Sequence, residues 1–385
     1  MSGRAAARRQ EGKQAMGRRG AAAIGLVLAA ALAVPRTARA DISTIALSES
    51  QEVELGRGAT PQIEKELGRY EDPGLEAYLN EVGQRLVAVG DVRGYRYSFK
   101  VVDRPEVNAF ALPGGHIYVT RGLLAMANSE AEVAGVLGHE IAHVTQRHIA
   151  KQLTRAIGYN ILALGIVGLT AAHPGTRGQV AAAAATVQGL LATIMTGYTK
   201  DLEAEADEVG LRIAVRAGYD PQAVVAFMRA MRTHERLTGQ GYHAFSDHPA
   251  TNERIVKADT QAAILRAQGG PPPLVRSDEY KAQLDGLRYG PAKEERRIRV
   301  YTVKVAGAPE EAPRPGAGEG RPGGGEGRTT LELTVGTGGT LADVSRQLVG
   351  DTRAAWELAV LNGMREKDPL RPGQKIKVVS REGKP

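Results

Sequence analysis

The chain has 385 residues, no cysteine and a formal net charge of +7 at neutral pH. Segment 1–40 holds eight basic residues and one acidic residue, so the remainder is near neutral and the high basicity does not point to nucleic acid as a partner. Without cysteine, disulfides are excluded and any metal site has to be built from histidine and carboxylate.

In chain order, Arg4, Arg8, Arg9, Lys13, Arg18 and Arg19 come first. The apolar run Gly20–Val34 follows, then Ala38-Arg39-Ala40 before Asp41. That is the layout of a secretory signal peptide over residues 1–40, cut after Ala40, and it predicts a periplasmic protein. The alternative is an uncleaved N-terminal anchor facing the periplasm, although the run is short and alanine-rich for a membrane span. Next, Leu75, Tyr78, Leu79, Val82, Leu86 and Val87 recur at helical spacing within Asp72–Val89, and Tyr95–Ala111 reads as a β segment. Asn108–Leu112 and His116–Thr120 read as two extended pieces joined by the turn signal Pro113-Gly114-Gly115.

Ala131–Val144 is an apolar helical stretch that contains His139-Glu140-Ile141-Ala142-His143. Residues i and i+4 share a helix face, so both imidazoles can reach one Zn²⁺ while Glu140 stands beside the place of an attacking water. A catalytic zinc needs a third protein ligand, and a glutamate from a later helix is one completion. Tyr198–Asp207, YTKDLEAEAD, offers it. Glu203 and Asp207 lie i and i+4 on one face, so one can bind metal while the other accepts a hydrogen bond from a ligand histidine. Glu205 is expected to point toward solvent. His148 is read as off the ligand face of the same helix, and with His116, His173, His234 and His243 it is taken as structural or exposed. Between the ligand segments, Ala156–Ala172 and Val180–Met195 are apolar stretches, read as a buried helix pair or as a mobile hairpin, 156–195, that touches the membrane.

HEIAHVTQRH, then YTKDLEAEAD, then DHPATNERI resemble the zinc metallopeptidases of the HtpX, BepA and CAAX-prenyl-protease type, metallopeptidase family forty-eight. The resemblance spans about residues 50–260. It implies one Zn²⁺ held by His139, His143 and Glu203, Glu140 as general base, and Asp207 behind a ligand histidine. It also makes His248 a group near the metal, acting as a latch or as a donor to the tetrahedral oxyanion, with Tyr198 as a second candidate donor. The edge strand with Asn108, Ala109, Phe110 and Ala111 would pair with an extended substrate. Lys200 and Thr199 depart from the arginine and serine common in the family, and both keep the chemical type.

Ala306–Arg328 is rich in Gly, Pro and Glu and reads as a flexible linker. Beyond it, Thr334–Val344, Leu358–Gly363 and Leu370–Val378 resemble a LysM module, a small βααβ fold that binds N-acetylglucosamine-containing glycans. Tyr301–Lys304 resembles its opening strand, displaced upstream. The expected architecture is α+β. A mainly helical metallopeptidase domain of the gluzincin type with a small sheet spans 41–288, a connecting segment and linker span 289–328, and the LysM-like domain spans 329–380. The expected function is exported zinc endopeptidase acting on misfolded or unassembled envelope proteins, with a peptidoglycan contact through the tail and no nucleic-acid partner. The alternative is a peptidoglycan-associated binding or chaperone-like factor with a latched zinc site.

Overall fold

The computed structural model describes residues 47–90, 93–153, 197–238, 251–291, 296–306, 331–349 and 355–381. The signal segment, the 156–195 stretches, His248 and most of the linker lie outside the described residues. Among those described, no helix is long and apolar enough to cross a membrane.

Helix α1, Glu49–Leu67, begins with a capping box in which Ser48 accepts from the Gln51 backbone at 3.2 Å and Gln51 answers to the Ser48 backbone at 2.8 Å. Helix α2, Pro73–Val87, is opened by Asp72, which accepts from Leu75 N at 2.9 Å, with Pro73 where a missing N–H costs nothing. The helical spacing seen in the sequence becomes its buried face, Leu75, Leu79, Val82 and Leu86.

The β segment resolves into β1, Ser98–Val102, and β2, Ala109–Leu112, with β3, His116–Thr120, between them. β1 runs parallel to β3, and β2 runs antiparallel to it in the register Ala109↔Val119 and Phe110↔Tyr118. The β2–β3 turn needs glycine, because Gly114 and Gly115 have φ of 81° and 98°. The sheet is covered on both faces, which is why β2 reads as the unbroken apolar run Ala-Phe-Ala-Leu. Ala109 and Ala111 face the main core with Leu79, Leu137 and Ile141, whereas Phe110 and Leu112 face Ala59 and Ile63 of α1.

After the short helix α3, Arg121–Met126, comes the central helix α4, Glu130–Thr145, capped by Ser129 accepting from Glu132 N at 3.2 Å. α4 is buried on nearly all sides, and full burial of side chains such as Leu137 and Ile141 stabilises it by about 1.5–3 kcal/mol each. Helix α5, Lys200–Arg216, lies against it at the closest approach that the chain allows. A Cβ on Gly210 would meet His139 N at 2.7 Å, and one on Gly138 would meet Gly210 O at 2.8 Å. Helices α6, Pro221–Thr238, α7, Asn252–Ala267, and α8, Ser277–Gln283, close the body.

The second sheet has the order β5-β4-β6, formed by β4, Arg296–Val305, β5, Leu331–Val335, and β6, Lys375–Arg381. Helices α9, Leu341–Val349, and α10, Ala355–Asn362, connect β5 to β6. The chain order is therefore βααβ, but the two strands do not pair with each other. β4 stands between them, parallel to β5 and antiparallel to β6. β4 also joins two cores. Ile298 and Val300 pack with the core around the first sheet and α4, and Tyr301 and Val303 pack with Leu341, Leu358 and Ile376 of the tail.

Candidate metal centre

Helix α4 carries His139 and His143 one turn apart, and their Nε2 atoms stand 3.0 Å from each other. Helix α5 brings Glu203 to both, with Oε2 3.6 Å from His139 Nε2 and Oε1 3.6 Å from His143 Nε2. Nitrogen and oxygen donors about 2.1 Å from one tetrahedral ion stand about 3.4 Å apart. The three observed separations bracket that value, so the residues fit a metal. Among the described residues this is the cluster of three or more His or carboxylate groups close enough to share an ion. Glu140, on the same helix, is 1% exposed.

Behind the donors lies a polar layer. Asp207 Oδ1 is 3.0 Å from His139 Nδ1, so the face shared by Glu203 and Asp207 is divided as the spacing allowed, with the first toward both Nε2 atoms and the second behind one ring. Burial alone would push His139 down, but the bonds and charges of Asp207 and Glu203 outweigh it and raise its pKa to about 10. Burial likewise opposes the Asp207 charge, and Arg254 and His139 reverse that and hold its carboxyl below the ordinary range. Arg254, in the first turn of α7, donates from Nε and Nη2 to the two Asp207 oxygens at 2.7 Å each, and its Nη1 lies 2.6 Å from Glu203 Oε2. One guanidinium thus spans the metal-facing carboxylate and the orienting one, a geometry that lysine could not reproduce. Arg254 was present in the DHPATNERI motif, but its partner lies 47 residues upstream and nothing local reveals the pair.

The sequence reading that kept His148 on the same helix is corrected. α4 ends at Thr145, and Arg147 turns the chain through the left-handed region with φ of 57°. His148 is thereby swung back under the ligand ring instead of continuing around the helix. Its Nδ1 stands 2.8 Å from His143 Nδ1, and its Nε2 stands 3.2 Å from Glu205 Oε2. It has no solvent exposure, and burial, the largest cause, pushes its pKa down to about 4. Glu205 also meets Lys151 Nζ at 3.3 Å in an exposed pair, so it borders solvent as expected while also reaching His148. Tyr198 stacks on the His143 ring with centroids 3.9 Å apart. His116 meets Ser98 Oγ through Nδ1 at 3.0 Å, far from the donors in sequence and role.

Beside the donors opens a cleft with about 590 Å³ of free space including its mouth, bordered by His139, Glu140, Asp207 and Arg254. Its apolar wall comes from Val136, Val224, Phe227, Met228 and Met231. Asn108 and Ala109 form part of its rim. Asn108 accepts from the Thr120 backbone N–H through its carbonyl and donates its own N–H to Thr120 Oγ1, both at 3.0 Å, while the Phe110 side chain points to the opposite face and stacks on Tyr118 at 5.2 Å. β2 pairs only with β3 among the described strands, and its start at Ala109 is the part that lines the cleft.

Two imidazoles on one helix, an adjacent glutamate, and a carboxylate from a second helix make up the donor set of the HExxH metallopeptidases. Residues 73–262 match the model of peptidase family M48, and over those residues the chain belongs to that family. It is 32% identical over 249 residues to the beta-barrel assembly-enhancing protease of Yersinia pestis, covering 62% of this chain and 49% of that protein. To the protein of the same name from Escherichia coli K12 it is 31% identical over 239 residues, covering 60% and 47%. To the mitochondrial metalloendopeptidase OMA1 of Schizosaccharomyces pombe it is 33% identical over 184 residues, covering 47% and 51%. The chain spans about half the length of the curated relatives it matches.

Proposed function

We propose that this chain is an exported zinc endopeptidase of the periplasm that hydrolyses peptide bonds in misfolded or unassembled envelope proteins. The convergence of His139, His143 and Glu203 on one point carries this reading. Those three residues would hold zinc, and when bound it supplies Lewis acidity to the scissile carbonyl and makes water easier to deprotonate. Glu140 takes the proton from the attacking water and returns it to the leaving amine. Asp207 holds His139 through Nδ1, leaving its Nε2 lone pair directed at the ion. The outer edge of β2, at Asn108–Ala111, receives an extended substrate backbone by strand addition, which selects unfolded segments over a fixed sequence. The apolar wall of Val136, Phe227, Met228 and Met231 accepts a large apolar side chain next to the scissile bond.

Relatives named for enhancing beta-barrel assembly support substrates among beta-barrel proteins in the course of assembly. His248 is assigned as a latch on the metal, so His248→Ala raises basal cleavage; a fall in activity assigns it to oxyanion stabilisation instead. The β5–α9–α10–β6 tail is assigned a peptidoglycan contact, and failure to co-sediment with purified peptidoglycan would remove it. The deciding experiment is casein cleavage by zinc-loaded protein beside Glu140→Gln. Loss of at least about a hundredfold in the variant, with zinc retained, supports the peptidase. Equal inactivity of both, with zinc bound, supports a latched binding factor.

A further inference from the structure

With Glu205 ionised and His148 neutral, the hydrogen bonds behind His143 run in one direction. An ionised Glu205 accepts only, so His148 must donate to it from Nε2, at 3.2 Å. A neutral His148 then has a lone pair at Nδ1, which faces His143 Nδ1 at 2.8 Å and requires the proton there to belong to His143. His143 Nε2 is left with its lone pair directed at His139 Nε2 and Glu203. The stacked Tyr198 ring restricts rotation of the same imidazole.

We infer that His148 and Glu205 form a positioning relay that fixes the tautomer and plane of His143, as Asp207 does for His139. Both nitrogen donors therefore reach the metal with their lone pairs already aimed, one through a carboxylate directly and the other through an imidazole that extends a more distant carboxylate. The extension is geometric. Glu205 lies off the Glu203–Asp207 face of α5, and its side chain is 40% exposed, so His148 is the piece that carries its influence into the buried site. Arg147 supplies the reversal that makes this contact, held by its bonds to Glu52 and to the Leu47 carbonyl. This assignment rests on the reading of His143 as a metal ligand.

The test is zinc affinity of the purified chain, measured against a chromophoric chelator, with cobalt spectra as a report on ligand geometry. His148→Leu should weaken zinc binding roughly 10–100-fold and alter the cobalt bands. His148→Gln should restore most of the affinity, because its amide oxygen accepts and its N–H donates in the same order. Glu205→Ala should give a smaller loss in the same direction. If His148→Leu fails to fold, Glu205→Ala decides, since its half-exposed site tolerates truncation. A purely structural His148 would lower the melting temperature of the metal-free chain and leave affinity unchanged. Binding by His148→Leu and Glu205→Ala within about twofold of the unaltered chain overturns the relay, given that losses near tenfold are expected. A chain that binds no zinc at all fails at the earlier step, the ligand reading itself, and takes the relay with it.

Discussion

Lys377, on β6, is fully buried and donates from Nζ to the carbonyls of Ala125 and Ala127 at 2.7 Å each. Those carbonyls end α3 just before the N-cap of α4, so a tail side chain satisfies the backbone where the chain turns into the HEIAH helix. Burial pushes the Lys377 amine well below its ordinary pKa and pushes Glu132 nearby up to about 7. The contact therefore depends on the two carbonyl bonds, which an amine makes in either protonation state. In Lys377→Ala, two orphaned carbonyls cost about 2–6 kcal/mol, and the lost methylenes cost about 2 kcal/mol more. Release of a poorly solvated amine offsets part of this, leaving a net loss of about 3 kcal/mol. For a body of this size that corresponds to a melting temperature lower by roughly 6–12 °C. Thermal unfolding of Lys377→Ala and Lys377→Met, followed by circular dichroism, measures it. Methionine replaces the methylenes and should recover only that share. A melt of Lys377→Ala within about 2 °C of the parent would refute the reasoning and make the tail a loosely attached module.

Gly210→Ala places a Cβ 2.7 Å from His139 N, so α5 has to move off α4. An overpacking cost of about 1–3 kcal/mol and weaker zinc binding are expected, both read in a chelator titration with and without denaturant. Arg254→Ala leaves Asp207 and Glu203 without their shared cation, and should lower stability by about 3–5 kcal/mol in urea unfolding, with Arg254→Lys only a partial rescue. Zinc at a hundred times its dissociation constant should stabilise the chain by about 2.7 kcal/mol, so chelation should lower the melting temperature, and no change on chelation would contradict the site. Phe227→Ala enlarges the apolar wall of the cleft and should change cleavage of peptide libraries beside large apolar residues more than beside small ones.

The local part of this protein was legible because local rules govern it. Helical spacing identified α2, and the turn glycines identified the β2–β3 hairpin. The i, i+4 rule placed His139 with His143 and put Glu203 and Asp207 on one face. His148 failed the same rule because the rule assumes that the helix continues, and one left-handed residue, Arg147, ends it. The tail order βααβ was also visible, whereas the insertion of β4 between its strands was not, since strand neighbours are chosen by long-range pairing.

By itself, the sequence determined the chemical inventory. It supplied the metal-type donors, the glutamate beside them, the lack of thiols, and the segments that carry each. Tertiary structure alone decided that Arg254 ties Glu203 to Asp207, and that His148 and Glu205 lie behind His143. It also decided that Lys377 joins the tail to the peptidase body. The physical reason is range. Backbone periodicity and capping act over a few residues, whereas the Arg254, Glu205 and Lys377 contacts join positions from 47 to 252 residues apart, and they depend on a packing of helices that leaves room for nothing larger than Gly138 against Gly210.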